Sequence, residues 1–145
     1  MKTYWDTSAA INAAVSPEVN ARLNSGEHVT RLHLLGEFFA TMTGRGVEII
    51  GQDGLPERMV FSPKDCSAWL RRFAARVQFE ELDKQSLLDA LDKAQARGVV
   101  GPQVYDYWHV LVCAKAKADL VLSRNTDDFS RWNQAIGGQA KLAWP

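Results

Sequence analysis

Asp119-Leu120-Val121-Leu122-Ser123 is the stretch on which the fold turns: three consecutive apolar residues between polar ones, with no alternation that would leave a face for water. So short and continuous an apolar run reads as a strand buried on both faces, the mark of a parallel sheet with helices on either side. Thr3-Tyr4-Trp5 is a second β-prone segment. It runs directly into Asp6-Thr7-Ser8, a cluster of N-cap residues, ahead of Ala9 to Ala14, so the opening predicts a strand feeding a helix.

Ser16-Pro17 starts another short helix that Asn24-Ser25-Gly26 closes, so the first thirty residues read as strand, helix, helix. Leu32, Leu35, Phe38, Phe39 and Met42 recur at helical spacing up to Gly44. Ser62-Pro63 opens a helix carrying Trp69, Phe73 and Val77, and Gln78 to Leu82 predicts a strand. Asp83 caps a helix with Leu87, Leu88 and Leu91 that Gly98 terminates, and Pro102 begins one through Trp108 and Cys113. A last strand is expected over Lys141 to Trp144. Val47, Ile49 and Ile50, then Gly51-Gln52-Asp53-Gly54, then Met59, Val60 and Phe61 predict a surface hairpin near 46–61. Strands alternating with helices give an α/β fold, a three-layer α/β/α sandwich around a central, mainly parallel sheet, in one domain over residues 1–145.

At 145 residues, 46% hydrophobic and 23% charged, the chain can bury a core without disulfide or metal staples, so any metal serves chemistry. Seventeen basic residues balance seventeen acidic ones, which excludes a global positive field and leaves nucleic-acid binding to a local basic strip. Arg72 and Arg76 share a helix face with Arg71 beside them, and the run reads as the solvated side of that helix rather than as a phosphate-contacting strip. Cys66 and Cys113 read as reduced core residues. No apolar stretch approaches the ~20 residues of a membrane span, and Met1 to Asp6 lacks a signal-peptide core, so a soluble, cytoplasmic protein with no membrane partner is expected.

Glu18, Glu27, Glu48, Glu57, Asp89 and Asp92 sit among polar neighbours and read as solvated. Other acids do not. Asp6 falls at the carboxyl edge of a predicted parallel strand, where open α/β sheets gather ligands. Glu37 lies in Leu34-Leu35-Gly36-Glu37-Phe38-Phe39-Ala40, where a carboxylate must be paired, protonated or holding a metal. Asp106 repeats the pattern within Val104-Tyr105-Asp106-Tyr107-Trp108-His109. Ser123-Arg124-Asn125-Thr126-Asp127-Asp128-Phe129 brings polar oxygens to the end of a second strand. Acids converging on one sheet edge repel unless a cation neutralises them, and oxygen donors favour Mg²⁺ or Mn²⁺. His33 precedes Glu37 by four residues and His109 follows Asp106 by three, but the second Glu-x-x-His motif of a di-iron site is missing.

Taken together, Tyr4-Trp5-Asp6-Thr7-Ser8, Glu37, Tyr105-Asp106 and Leu122-Ser123-Arg124-Asn125-Thr126-Asp127-Asp128-Phe129 resemble the PIN-domain ribonucleases, the VapC-type toxins of type II toxin–antitoxin systems in particular. The resemblance spans nearly the whole chain. It implies a Mg²⁺- or Mn²⁺-dependent endoribonuclease in which Asp6, Glu37 and Asp106 are catalytic metal ligands. Asn125, standing where many members carry Asp, and Asp128 would complete the metal site. Thr7 or Ser8 is expected to hydrogen-bond a ligand carboxylate, Arg124 to touch a phosphate and Trp108 to stack on a base of the RNA substrate. The resemblance further implies a homodimer and a cognate antitoxin protein. The opposing expectation is a non-catalytic PIN-like module that binds RNA or protein, and the predicted hairpin is longer than compact members would have.

Overall fold

Tyr4 and Trp5 are neighbours in sequence, both fully buried, and strand side chains alternate in direction, so the first strand is covered on both faces. The computed structural model describes residues 1–144. Strand β1 (Lys2–Trp5) leads into helices α1 (Thr7–Val15) and α2 (Pro17–Ala21) and a 3-10 turn, then β2 (Glu27–Thr30) and α3 (His33–Thr43). A hairpin, β3 (Val47–Ile50) and β4 (Pro56–Met59), precedes α4 (Pro63–Ala74), β5 (Gln78–Phe79) and α5 (Lys84–Asp92). The chain closes with α6 (Gln103–Lys115), β6 (Leu120–Leu122), α7 (Thr126–Ala135) and β7 (Lys141–Ala143).

Five strands form one sheet in the order β5-β2-β1-β6-β7, and every pairing is parallel. Tyr4 sits opposite Val29 on one side and Val121 on the other, and all three face a core with Tyr107, Val110, Cys113, Phe129 and Trp132 of α6 and α7. Trp5 and its partner Leu122 face the opposite core, with Ala9, Leu34, Phe38, Cys66 and Phe73 of α1, α3 and α4. This is the expected three-layer α/β/α sandwich. The chain winds outward from β1 to β2 and β5, then returns to the far side of β1 for β6 and β7, so the order reverses between β1 and β6. Ligands of open parallel sheets bind at the carboxyl ends beside such a reversal.

Several elements differ from the sequence reading. The first thirty residues hold a second strand, because β2 carries buried polar side chains that hide its period: Trp5 Nε1 donates to His28 Nδ1 at 3.1 Å, and Thr30 Oγ1 donates to the Trp5 carbonyl at 2.7 Å. Residues after Asn125, expected only as polar oxygens at a strand end, continue into α7, whose buried residues are Phe129 and Trp132. β5 is two residues long, and α5 ends at Asp92 with turns between it and Gly98. The expected hairpin is present, with its second strand starting at Pro56 rather than Met59. Both cysteines are free and buried, and burial pushes the Cys113 thiol up to about 12. Among the described residues no helix is long and apolar enough to cross a membrane.

Phe38 is fully buried and stacks on Trp69 at 4.6 Å between ring centroids. Phe38→Ala should therefore cost about 3–5 kcal/mol. Ile50→Ser, at a hairpin residue 67% exposed, should stay within about 0.5 kcal/mol. Urea midpoints at unchanged m read both, and an unmoved midpoint in Phe38→Ala would remove that face from the core.

Candidate active site

The two strand ends that meet at the reversal are tied together by Ser8. Its hydroxyl donates to Asp6 Oδ1 at 2.7 Å and accepts the Arg124 backbone N–H at 3.1 Å, while the Asp6 N–H donates to the Leu122 carbonyl at 3.2 Å. Asp6 Oδ1 also accepts the Ala9 N–H at 2.8 Å, so Asp6 caps α1 and stands at the sheet edge at once. Only 4% of Asp6 is exposed. Burial raises its pKa above the usual carboxylate value, against the opposing pull of the His109 charge and of hydrogen bonds from Ser123, Ser8 and Ala9.

Glu37 is paired, as its apolar surroundings require. Its Oε1 accepts the Thr7 hydroxyl at 3.0 Å and lies 3.4 Å from His109 Nε2, 3.5 Å from His33 Nε2 and 3.7 Å from Arg31 Nη2. Burial works against the ionised form, yet the His109 hydrogen bond and charge, followed by His33 and Thr7, outweigh it and hold Glu37 below its usual value. Behind this shell the Tyr4 hydroxyl lies 2.7 Å from His109 Nδ1. Burial raises the Tyr4 pKa, so the phenol stays un-ionised beside Nδ1, while Nε2 faces Glu37. Sequence spacing had set His109 beside Asp106; the fold instead aims it at Glu37.

Asp106 and Asp128 are bridged by Asn125, whose Nδ2 donates to Asp106 Oδ2 at 3.2 Å and to Asp128 Oδ2 at 3.1 Å, while Arg131 pairs with Asp128 at 3.0 Å. Asp6, Thr7, Ser8, Glu37, Asp106, Arg124 and Asn125 all line one groove of about 850 Å³. Asp128 and Trp108 stand outside that lining. Trp108 is half-buried with the Arg31 guanidinium 4.6 Å from its ring centroid, while the exposed ring beside it is Tyr105, stacked on His33 at 4.8 Å. Arg72 and Arg76 are exposed and border a separate hollow of about 350 Å³.

Arg31, fully buried just past the end of β2, had no signal in the sequence, where it follows Val29-Thr30. Arg45, Glu48 and Arg58 of the hairpin region also line the groove, and only the tertiary structure brings them there. The shared donor set of Asp6, Glu37, Asp106 and the Asn125 amide is all oxygen, which suits Mg²⁺ or Mn²⁺. Among the described residues no three His, Cys, Asp or Glu side chains form a ready-made cation cage, and Glu37 is turned onto Arg31, His33 and His109. Asp6 supplies the point of fit: a desolvated carboxylate in a groove with three further carboxylates, Glu37, Glu48 and Asp106, is stabilised by a bound cation. A scan against protein-family models and a search of curated proteins find nothing that matches this chain.

Asp6 and Glu37 should affect stability with opposite sign. The raised Asp6 pKa means that its ionisation costs the fold nothing below the unfolded value and progressively more as pH rises through the folded one. Asp6→Asn, which keeps a capping oxygen, should match the wild type in acid and exceed it near neutrality in urea titrations with EDTA. The lowered Glu37 pKa means stability present above the unfolded value and lost as pH falls through the folded one, so Glu37→Gln should be weaker near neutrality and equal in acid. Curves parallel to the wild type at every pH would refute both assignments.

Proposed function

We propose that the chain is a metal-dependent endoribonuclease that hydrolyses RNA phosphodiesters, acting in the cytoplasm as a homodimeric toxin restrained by an antitoxin protein. One observation carries the nuclease reading: Asp6, Glu37 and Asp106, from a strand end and two helices far apart in sequence, line a single groove beside the point where strand order reverses. The toxin, dimer and antitoxin assignments rest on the motif resemblance.

Asp6, Glu37 and Asp106, with Asn125, would hold Mg²⁺ or Mn²⁺. Bound there, the ion supplies Lewis acidity toward the phosphodiester and activation of water at neutral pH. The chain's own residues prepare the carboxylates. Ser8 and the Ala9 N–H aim Asp6, Thr7 and the Tyr4–His109 pair aim Glu37, and Asn125 fixes Asp106 against Asp128. Such outer contacts hold ligands in place before substrate arrives, which is where much of a metal site's affinity and rate is set. Asp128, paired with Arg131, acts through Asn125 rather than in the groove.

Purified protein should cleave RNA with Mg²⁺ or Mn²⁺ and stop on addition of EDTA. Asp6→Asn and Asp106→Asn should each lower the rate by about a hundredfold or more. A folded wild type that neither cleaves varied RNAs nor binds Mn²⁺ would support the non-catalytic module instead. Cleavage without growth arrest on expression would separate nuclease from toxin. Thr7→Val, which keeps shape and removes the hydroxyl on Glu37, should weaken Mn²⁺ binding or turnover by about 10- to 100-fold. Unchanged metal affinity and rate would release Thr7 from that positioning role.

A further inference from the structure

The β3–β4 hairpin is a two-stranded sheet of its own, separate from the main sheet and touching the Trp5-side core through Val47, and it is anchored beside the acids. The Gly46 N–H donates to the Thr41 carbonyl at 2.8 Å and the Phe61 N–H to the Met42 carbonyl at 2.7 Å, so both ends of the hairpin are fastened to α3, the helix that carries Glu37. Gly46 has φ 68°, and a Cβ there would lie 2.2 Å from the Met59 carbonyl oxygen, so the closure at this base requires glycine. Arg58 Nη1 donates to the Arg45 carbonyl at 2.8 Å and holds the two arginines together. Both line the groove, as does Arg124 from the end of β6.

All three arginines are exposed, and among the described residues none of them forms an ion pair, although Asp6, Glu37, Glu48 and Asp106 line the same groove. In a chain of net charge zero this is a local concentration of positive charge on the rim that the acids share, with Arg58 opposite Glu48 across the hairpin and the Arg124 guanidinium 5.0 Å from the Trp144 ring centroid. Guanidinium groups match phosphate oxygens in geometry and charge. We propose that the hairpin is a phosphate-binding arm: Arg45 and Arg58, with Arg124, seat the sugar–phosphate backbone of an RNA strand in the groove. The proposal rests on the ribonuclease reading of the same groove, and it gives the hairpin a role that the family motifs do not.

The test is binding of a fluorescent single-stranded oligoribonucleotide in EDTA across a salt series, alongside cleavage with Mg²⁺ on the same proteins. Each lost phosphate contact should make the slope of log K against log salt shallower by about 0.7, which is about fivefold in affinity near 0.1 M salt. Arg45→Gln and Arg124→Gln should show this loss, Arg45→Lys should recover most of it, and Arg72→Gln on α4, outside the groove, should bind as the wild type does. Arg45 is the cleaner hairpin variant because its side chain supports no hydrogen bond, and thermal melting verifies that each variant is folded. Unchanged affinity and slope in Arg45→Gln and Arg124→Gln, or an equal loss in Arg72→Gln, would overturn the arm while leaving any Mg²⁺-dependent cleavage intact. Arginine-dependent binding without cleavage would uphold the arm and sink the nuclease. Failure of the wild type to bind RNA, or tighter binding of a glutamate-rich peptide through the same arginines, would overturn the assignment to nucleic acid.

Discussion

A parallel sheet covered on both faces has nowhere to put polar chemistry except its ends, and that constraint organises this molecule. Tyr4, Val29 and Val121 are committed to one core, and Trp5 and Leu122 to the other. The first residues free of that commitment are those just past the strands, Asp6 after β1 and Ser123 to Asn125 after β6. Because β1 and β6 are adjacent and the chain diverges on either side of them, their ends open a crevice instead of being bridged by one connection. Ser8 then links the two ends through its single hydroxyl, so the geometry at Asp6 follows from strand pairing and helix capping together.

Glu37 shows what the fold gives up for this arrangement. One carboxylate oxygen collects Thr7, Arg31, His33 and His109, and Arg31 is completely buried, its Nε and Nη1 without a hydrogen-bond partner among the described residues. Buried ion pairs of this sort are poor sources of stability, since desolvation offsets the Coulombic gain. Hydrophobic residues would pack this space at lower cost. Charge concentrated on one groove-lining oxygen suits a site better than a core, and the rings that line up beside it, Tyr105, His33 and Trp108, extend the same polar seam toward solvent.

The groove is also two-signed. Carboxylates come from the end of β1, from α3 and α6 and, with Glu48, from β3, while arginines come from the hairpin region and from the loop after β6. Net charge is blind to such a division, because a balanced count is compatible with either uniform mixing or strict segregation.

Much of this was legible in the residues themselves. The continuous apolar run Leu120–Leu122 required double burial, Thr3–Trp5 was β-prone, helix caps at Asp6, Ser16, Ser62 and Asp83 marked where helices begin, and a carboxylate among Leu34 to Ala40 had to be paired, protonated or holding a metal. These are short-range consequences of hydrophobicity and backbone hydrogen bonding, so composition and spacing determine them. β2 and α7 were hidden because their burial depends on few residues, and the polar His28 and Thr30 are satisfied by Trp5, a contact between strands. Of the partners of Glu37, His33 was visible four residues earlier on the same helix, whereas Arg31 and His109 meet it only once parallel pairing brings β2 beside β1 and lays α6 across the opposite layer. Which residues must be buried or capped is decided locally, by free energies each residue carries with it; which charges meet is decided by strand order, because Coulombic and hydrogen-bond partners are chosen by distance in space, and only the folded sheet sets that distance.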